Sequence, residues 1–477
     1  MSNETVIIGR KKELQKLETI VKSKKSEFLA VYGRRRVGKT FLIREYFNYS
    51  FSFQISGLAN ADTAQQLFNF DSALQKQSSL QFDTPSGNWL IAFQRLISHL
   101  ENVDKNEKKV VFFDELPWFD THSSDFVIAL EHFWNSWASN RKDVLLIVCG
   151  SAASWMVNTL FNHTGGLHNR VTQKIKIEPF TLRETEELLL AKNGVFDRYQ
   201  IVQLYMVLGG IPYYLDAVQT HLSVSQNIQE LLFDSGGLLK NEFFNLYRSL
   251  FRKYEIYEKV VEVLSTKNEG MQRSEIIILS GISSGGTLTK VLSDLEESGF
   301  IRSYVAFDYK NKNTLYRLSD FYTAFYLRFI KDGKFQGENI WLKMLDHPTL
   351  RSWQGIAFEQ ICIDHINPIK KALGISGILS NDVSWRGGTA EKSAQVDLLI
   401  DRRDQVINLC ECKFSMDTFA IDKDYAEKLR SKIAIFKTVT KTKKAVFLTM
   451  ITTYGLEKNK YALGMVQNEV VMDELFA

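Results

Sequence analysis

Four features are scarce in this 477-residue chain, and each scarcity excludes something. There are four cysteines, Cys149, Cys362, Cys410 and Cys412, and no CxxC pair. That excludes a disulfide framework and the usual zinc-ligand spacings, and it suits a reducing cytoplasm. There are six prolines and no low-complexity stretch, so domains are expected to abut through helices instead of Pro-rich linkers. No apolar run approaches the ~18 residues of a membrane span, and the opening MSNETVIIGRKKEL has no signal-peptide core. A soluble, cytoplasmic chain with no membrane partner is expected. Charge of one sign is also lacking. With 59 basic and 55 acidic side chains the net charge is +4, which permits a nucleic-acid partner without arguing for one.

What is present reads as globular, with 45% hydrophobic and 24% charged residues. At roughly 150 residues per domain the length suggests about three domains. The first 180 residues alternate β-rich runs with helical patterns, as a parallel α/β sheet requires. FLAVY at 28–32, KVVFF at 109–113 and VLLIVC at 144–149 read as buried central strands. From about Leu182 to Tyr254 the apolar spacing turns helical. Three helical stretches and two strands follow to about Leu318, the order of a winged helix-turn-helix. From about Trp353 a helix, the strand runs VDLLI and VINLCECKF, and a Lys-rich helix form a further α/β unit. The expected division is 1–180, 181–254, 255–340 and 341–477.

The segment Gly33-Arg34-Arg35-Arg36-Val37-Gly38-Lys39-Thr40, followed by Phe41, is a full GxxxxGK[ST] match between a β-run and a helix. Glycines let backbone N–H groups face phosphates, Lys39 neutralises β/γ oxygens, and the Thr40 hydroxyl ligates Mg²⁺. The following helix aims its positive dipole end at the anion. The apolar run before Asp114 and Glu115 places two carboxylates at a strand end. Asp114 there holds Mg²⁺ through water, and Glu115 polarises the attacking water, a pairing that favours a hydrolase. Ser151, ending VLLIVCGS, either senses a γ-phosphate or makes ordinary turn bonds. Arg170 either reaches a phosphate, in its own or a neighbouring subunit, or is a surface arginine. The run from Arg34 to Arg36 either touches phosphates or decorates the loop.

The segments IIGRKKEL, VYGRRRVGKTFLIREYF, VVFFDELPWF, CGSAASWM and GGIPYYL together resemble the archaeal-type P-loop ATPases, which are akin to AAA+ and STAND ATPases and also occur in bacteria. The resemblance covers about residues 6–330. It implies an ATP-dependent conformational machine with a helical lid and a winged helix. It also implies that Gly9-Arg10 begins the domain near the nucleotide and that the Gly209-Gly210-Ile-Pro212 turn is a lid element; a simple helix-ending turn is the other reading.

The third helix of the winged segment carries Lys290 but also Asp294, Glu296 and Glu297, and a net negative helix does not enter a phosphate-lined groove readily. The wing, at 309–313, is basic. An architectural role is therefore expected over direct DNA reading.

In the last segment Asp397 sits on one apolar run, and Glu411 and Lys413 on the next. Alternation sends residues 411 and 413 to one strand face. Carboxylates beside an ammonium can hold Mg²⁺, or Mn²⁺, and orient a water for in-line attack on a phosphodiester; a plain Glu/Lys ion pair is the bland alternative. This spacing resembles the PD-(D/E)xK superfamily, with its restriction-endonuclease-like α/β core. Glu359 matches the acid that such nucleases often carry on the first core helix, and related ATPases commonly end in such a domain. Gln395 stands where many relatives have an acid, so the number of metal ions stays open. From Ala420 to Lys444 there are eight basic and three acidic residues, a phosphate-lining helix or a solvated face. Trp385 and Arg386 either contact nucleic acid or are structural.

The expected function is an ATP-regulated, metal-dependent nuclease acting on DNA, as a homo-oligomer. The alternative is a STAND-like signalling or scaffold ATPase whose C-terminal part binds nucleic acid or a protein without cutting.

Overall fold

Five short runs before Phe180 become the strands β1 (Glu27–Tyr32), β2 (Phe53–Ser56), β3 (Lys109–Asp114), β4 (Val144–Gly150) and β5 (Gln173–Lys176) of one parallel sheet, ordered β2-β3-β4-β1-β5. The computed structural model describes residues 7–103, 108–161, 169–283, 285–305, 307, 314–335, 337–388 and 392–477, except the side chains of Val305 and Asp397. The chain divides into two compact units, Met1–Pro179 and Phe180–Ala477.

In the first unit β3 and β4 are buried along their whole length, which is why their sequences read as unbroken apolar runs. Helices α1 (Lys11–Val21), α2 (Lys39–Tyr46), α3 (Thr63–Gln77) and α4 (Trp89–Asn102) belong to the same unit. Phe113 of β3 shares an aromatic core with Phe70 of α3 and with Trp89 and Phe93 of α4. The topology also positions the site. β1 leads to β2 at one edge of the sheet, while its neighbour β4 leads to β5 at the other. Adjacent strands whose connections diverge leave a crevice at their carboxyl ends, where α/β sheets bind ligands.

The second unit begins with two helices, Leu182–Ala191 and Arg198–Leu208, each opened by a capping box, Thr181 with Glu184 and Asp197 with Gln200. Gly209 ends the second of them and Pro212 starts the next helix, so this turn is a helix boundary. Gly210 is required there, because a Cβ would lie 1.8 Å from the carbonyl oxygen of Phe180. Helices Tyr254–Ser265, Arg273–Ser280 and Gly286–Glu297 precede a small antiparallel sheet, β6-β8-β7, made of β6 (Met271–Gln272), β7 (Ile301–Val305) and β8 (Thr314–Leu318). The predicted wing at 309–313 lies outside the described residues.

The acidic third helix differs from its sequence reading. Asp294 is buried and accepts from the Tyr257 hydroxyl at 2.6 Å, and Glu296 accepts from the backbone N–H of Ser303 at 2.9 Å. Two of its three acids are thus bonded within the fold, Asp294 because a buried carboxylate must find donors, and Glu296 half-buried against the start of β7. The repulsive face inferred from sequence is correspondingly weaker.

A five-stranded mixed sheet closes the chain: β9 (Ser380–Gly388), β10 (Ser393–Arg402), β11 (Val406–Lys413), β12 (Ala445–Thr452) and β13 (Asn468–Val471), ordered β13-β12-β11-β10-β9. β9, β10 and β11 run antiparallel, and β11, β12 and β13 parallel. The helix Lys423–Thr440 connects β11 to β12 and buries Leu429 and Phe436 on Leu399, Leu409 and Leu448 of the sheet. Trp385 belongs to that core, 2% exposed and edge-on to Phe436 at 5.0 Å, so it is not available to stack on a base. Arg386 beside it is exposed.

Candidate functional site

The turn after β1 is built around two glycines. Gly33 has φ +140°, and a Cβ on it would lie 2.3 Å from the carbonyl oxygen of Ile177, whose own N–H donates to Tyr32 O at 2.8 Å. Gly38, at φ +88°, caps α2, and nothing lies within 4 Å of where its Cβ would be. Only glycine takes both conformations without strain. Arg36, between them, is also left-handed at φ +71°. Arg10, buried, donates to Val37 O at 2.9 Å and to Glu178 O at 2.6 Å, bracing the loop from outside.

Lys39 is buried, and its Nζ donates to Gly33 O at 3.0 Å and Arg34 O at 2.8 Å. Burial lowers its pKa from the ordinary lysine value, against the upward pull of Glu115 and Asp114. Thr40 Oγ1 donates to Asp114 Oδ1 at 2.9 Å. The Asp114 carboxylate also takes Ser56 Oγ at 3.3 Å and has Arg44 at 3.8 Å. Glu115 follows at φ +49°, a left-handed conformation costly outside glycine and concentrated at functional positions. Ser151, at the end of β4, donates to Glu115 Oε2 from its hydroxyl at 2.8 Å and from its backbone N–H at 3.3 Å. The sequence-predicted residues that end or follow β1, β3 and β4 thus meet at the carboxyl ends of these inner strands. A hydroxyl and a carboxylate facing each other are hard oxygen donors, chemistry that fits Mg²⁺.

The remaining loop residues divide. Val37 and Arg34 are buried, Arg35 and Arg36 half-buried, and Phe41 exposed. Arg34 therefore does not decorate the surface. Arg170 is exposed, close ahead of β5. Ser56 and Arg44 escaped the sequence reading: Ser56 ends β2, a four-residue strand with no long apolar run to announce it.

In the second unit Glu411 and Lys413 lie on one face of β11 with Glu411 Oε1 3.2 Å from Lys413 Nζ. Two further groups from the helix Lys423–Thr440 complete the cluster: Tyr425 Oη donates to Glu411 Oε1 at 2.8 Å, and Lys432 Nζ to Oε2 at 2.6 Å. Burial would raise the Glu411 carboxyl, but Lys432, Lys413 and the phenol outweigh it and hold it below the ordinary carboxylate value. Tyr425 moves the other way, pushed up by its burial and by the neighbouring Glu411 charge. Lys413 also lies 5.1 Å from the centre of the Tyr425 ring. Tyr425 and Lys432 were not singled out from sequence, although the Lys-rich helix was.

Leu398 of β10 pairs with Cys410 of β11, so Asp397 and Glu411 are each one residue beyond a paired position, and on its other side β10 shifts register against β9 between Val396 and Leu399. The side chain of Asp397 lies outside the described residues. Glu359 is on the helix Pro348–Asp364, and its charge reaches both Cys412 and Tyr425. Among the described residues no group of three or more His, Cys, Asp or Glu side chains could hold a metal ion. The described carboxylates nearby, Glu411 and Glu359, are hard donors of the kind Mg²⁺ or Mn²⁺ takes.

A parallel sheet, a glycine-braced loop at the crevice beside β1, a buried lysine and a Thr–Asp pair define a P-loop ATPase domain. The family model described as an ATPase domain predominantly from Archaea matches residues 7–218 of this chain. The chain is also similar to the uncharacterized protein MJECL04 of Methanocaldococcus jannaschii, 23% identical over 376 residues, which are 77% of this chain and 78% of that protein. Among solved structures it is similar to the Walker-type ATPase PABY2304 of Pyrococcus abyssi, at 19% identity and a TM-score of 0.49, covering 68% of this chain and 96% of that one. It is also similar to the ORC2 protein of Aeropyrum pernix, at 14% identity and a TM-score of 0.36, covering 66% and 90%. No helix among the described residues is long and apolar enough to cross a membrane.

Proposed function

We propose that the chain couples ATP hydrolysis to Mg²⁺-dependent cleavage of DNA phosphodiesters, working as a homo-oligomer. In the first unit Lys39 binds the β/γ-phosphates and the backbone N–H groups at the start of α2 face them. Thr40 and Asp114 would hold Mg²⁺, which supplies charge neutralisation on the phosphates when bound. Glu115, steadied by Ser151, orients the attacking water and takes its proton. Arg170 is assigned to a phosphate of its own or a neighbouring subunit.

The observation that carries the nuclease half is Glu411 and Lys413 at 3.2 Å on one strand face, inside an otherwise buried β-run. Charges in such a place are costly unless they are paired or used. Asp397, Glu411 and Glu359 would hold the metal. Lys413 orients the water beside the scissile phosphate, and Tyr425 and Lys432 fix the Glu411 carboxylate. Helices 254–297 with their sheet are read as a winged helix, and residues 341–477 as the PD-(D/E)xK domain. One observation favours the rival reading, a signalling or scaffold ATPase. Glu411 faces two ammonium groups, at 2.6 and 3.2 Å, and a carboxylate already paired twice is satisfied without a metal ion.

The test is cleavage of linear, circular and single-stranded DNA by wild type and Glu411→Ala with Mg²⁺ or Mn²⁺. Loss of cleavage in the variant, with ATP hydrolysis intact, is the expected result. Cleavage that survives Glu411→Ala, or is never seen, sinks the nuclease reading.

A further inference from the structure

The second unit contains a cavity of about 450 Å³ whose lining includes neither Glu411 nor Lys413, nor any other residue given a role in the proposed function. One wall is β8 and the turn before β6; the other is β9 and the start of β10. Its size lies within the roughly 300–1,000 Å³ of small-molecule sites.

Arg317 decides what the cavity can hold. It is 9% exposed, lines the cavity, and among the described residues its guanidinium makes no hydrogen bond or ion pair. A guanidinium cannot shed its charge, so burying it without a partner lowers stability. The other charges on the walls do not supply that partner. Glu275 is taken by Lys267 at 2.5 Å and accepts from the backbone N–H of Gln272 at 2.8 Å. Glu269 also lines the cavity, but among the described residues no ion pair joins its carboxylate to Arg317. Arg386, exposed at the mouth, adds a second guanidinium. Tyr304 offers a ring, and Gln395 an amide, beside them.

We propose that this cavity binds a phosphate-bearing ligand of nucleotide size, with Arg317 taking the phosphate in the forked geometry that guanidinium groups offer to oxyanions and Arg386 steering it in. A free nucleotide and the end of a nucleic-acid strand share that chemistry. The site is separate from the P-loop and does not depend on the nuclease reading.

The test uses the full chain carrying Lys39→Ala, which silences the P-loop, and titrates it with AMP and with a 5′-phosphorylated single-stranded oligonucleotide. Arg317→Gln, added to that background, is expected to weaken binding of the ligand by tenfold or more, with partial recovery in Arg317→Lys. The ligand-free melting temperature gives a second readout that a structural arginine would move the opposite way. It rises or holds in Arg317→Gln if the guanidinium is kept for a ligand. Binding of AMP alone identifies a free nucleotide, and binding of the oligonucleotide alone identifies a strand end. The proposal is overturned if neither probe binds, if Arg317→Gln binds as tightly as its parent, or if the ligand-free variant melts well below it.

Discussion

At the scale of single residues, the first unit depends on contacts that leave no room for substitution. Gly33→Ala puts a methyl group 2.3 Å from a carbonyl oxygen at a left-handed φ, and either the loop or β5's approach must shift. The expected cost is about 2–4 kcal/mol, read as a lowered denaturation midpoint, together with lost nucleotide binding. Ser151→Ala is milder. It removes the hydroxyl 2.8 Å from Glu115 while keeping the backbone N–H, so kcat for ATP hydrolysis should fall on the order of tenfold with KM nearly unchanged. A change confined to KM would show that Ser151 serves binding alone. His365 supplies a pH effect. Its Nε2 accepts from Leu182 N–H at 2.9 Å and its Nδ1–H donates to Ile361 O at 2.9 Å, so the buried ring has no lone pair left for a proton. Burial depresses its pKa below the ordinary 6.5. A depressed folded value means the stabilisation is complete above 6.5 and is lost as pH falls below it. The melting temperature should therefore drop between pH 7 and 5.5, and His365→Gln, which keeps an acceptor, should flatten that drop.

At the scale of elements, the hairpin β10–β11 and the helix Lys423–Thr440 form one electrostatic unit around Glu411. In the wild type the carboxyl titrates below its ordinary 4.5, so the pairing stabilises the fold above that value and is lost as pH falls through the lower one. Lys432→Met takes away the 2.6 Å partner but leaves the burial, which acts in the opposite direction. Stability at pH 7 should fall by about 1–3 kcal/mol. The slope of midpoint against pH between 4 and 6 should flatten or reverse; an unchanged slope would mean that Lys413 and Tyr425 suffice. This unit also marks how far the sequence could be read. Glu411 and Lys413 were legible because charges interrupt an apolar strand run, and alternation put them on one face. Lys432 and Tyr425 were not, since a Lys-rich amphipathic helix reads equally as a solvated face until its packing is known. Asp294 was misjudged for the same reason: a one-dimensional charge count cannot tell an outward acid from one bonded to Tyr257. The central strands of the first unit were legible because burial on both faces demands unbroken apolar runs. Short edge strands such as β2 and β5 carry no such signature.

At the scale of the whole molecule, the two proposed chemistries occupy different compact units, and that makes them separable by single substitutions. Lys39→Ala removes the ammonium that binds the phosphates and should abolish ATP hydrolysis, while Glu411→Ala should leave it at the wild-type rate. The informative quantity is the cross-effect. If ATP binding gates the second unit, DNA cleavage by wild type should rise with ATP, and Lys39→Ala should fix it at the nucleotide-free level whatever the ATP concentration. Coupling of this kind is typically 1–3 kcal/mol, which corresponds to a 5- to 150-fold change and lies well within the range of a gel assay. If ATP acts by tightening DNA binding, DNA must tighten ATP binding by the same factor; an effect on the cleavage rate alone carries no such symmetry. Measuring ATP affinity with and without DNA in the Glu411→Ala chain, where nothing is cut, isolates that term. A ratio of one, beside intact hydrolysis and cleavage that does not respond to ATP, would leave two activities on one chain with no energetic link between them.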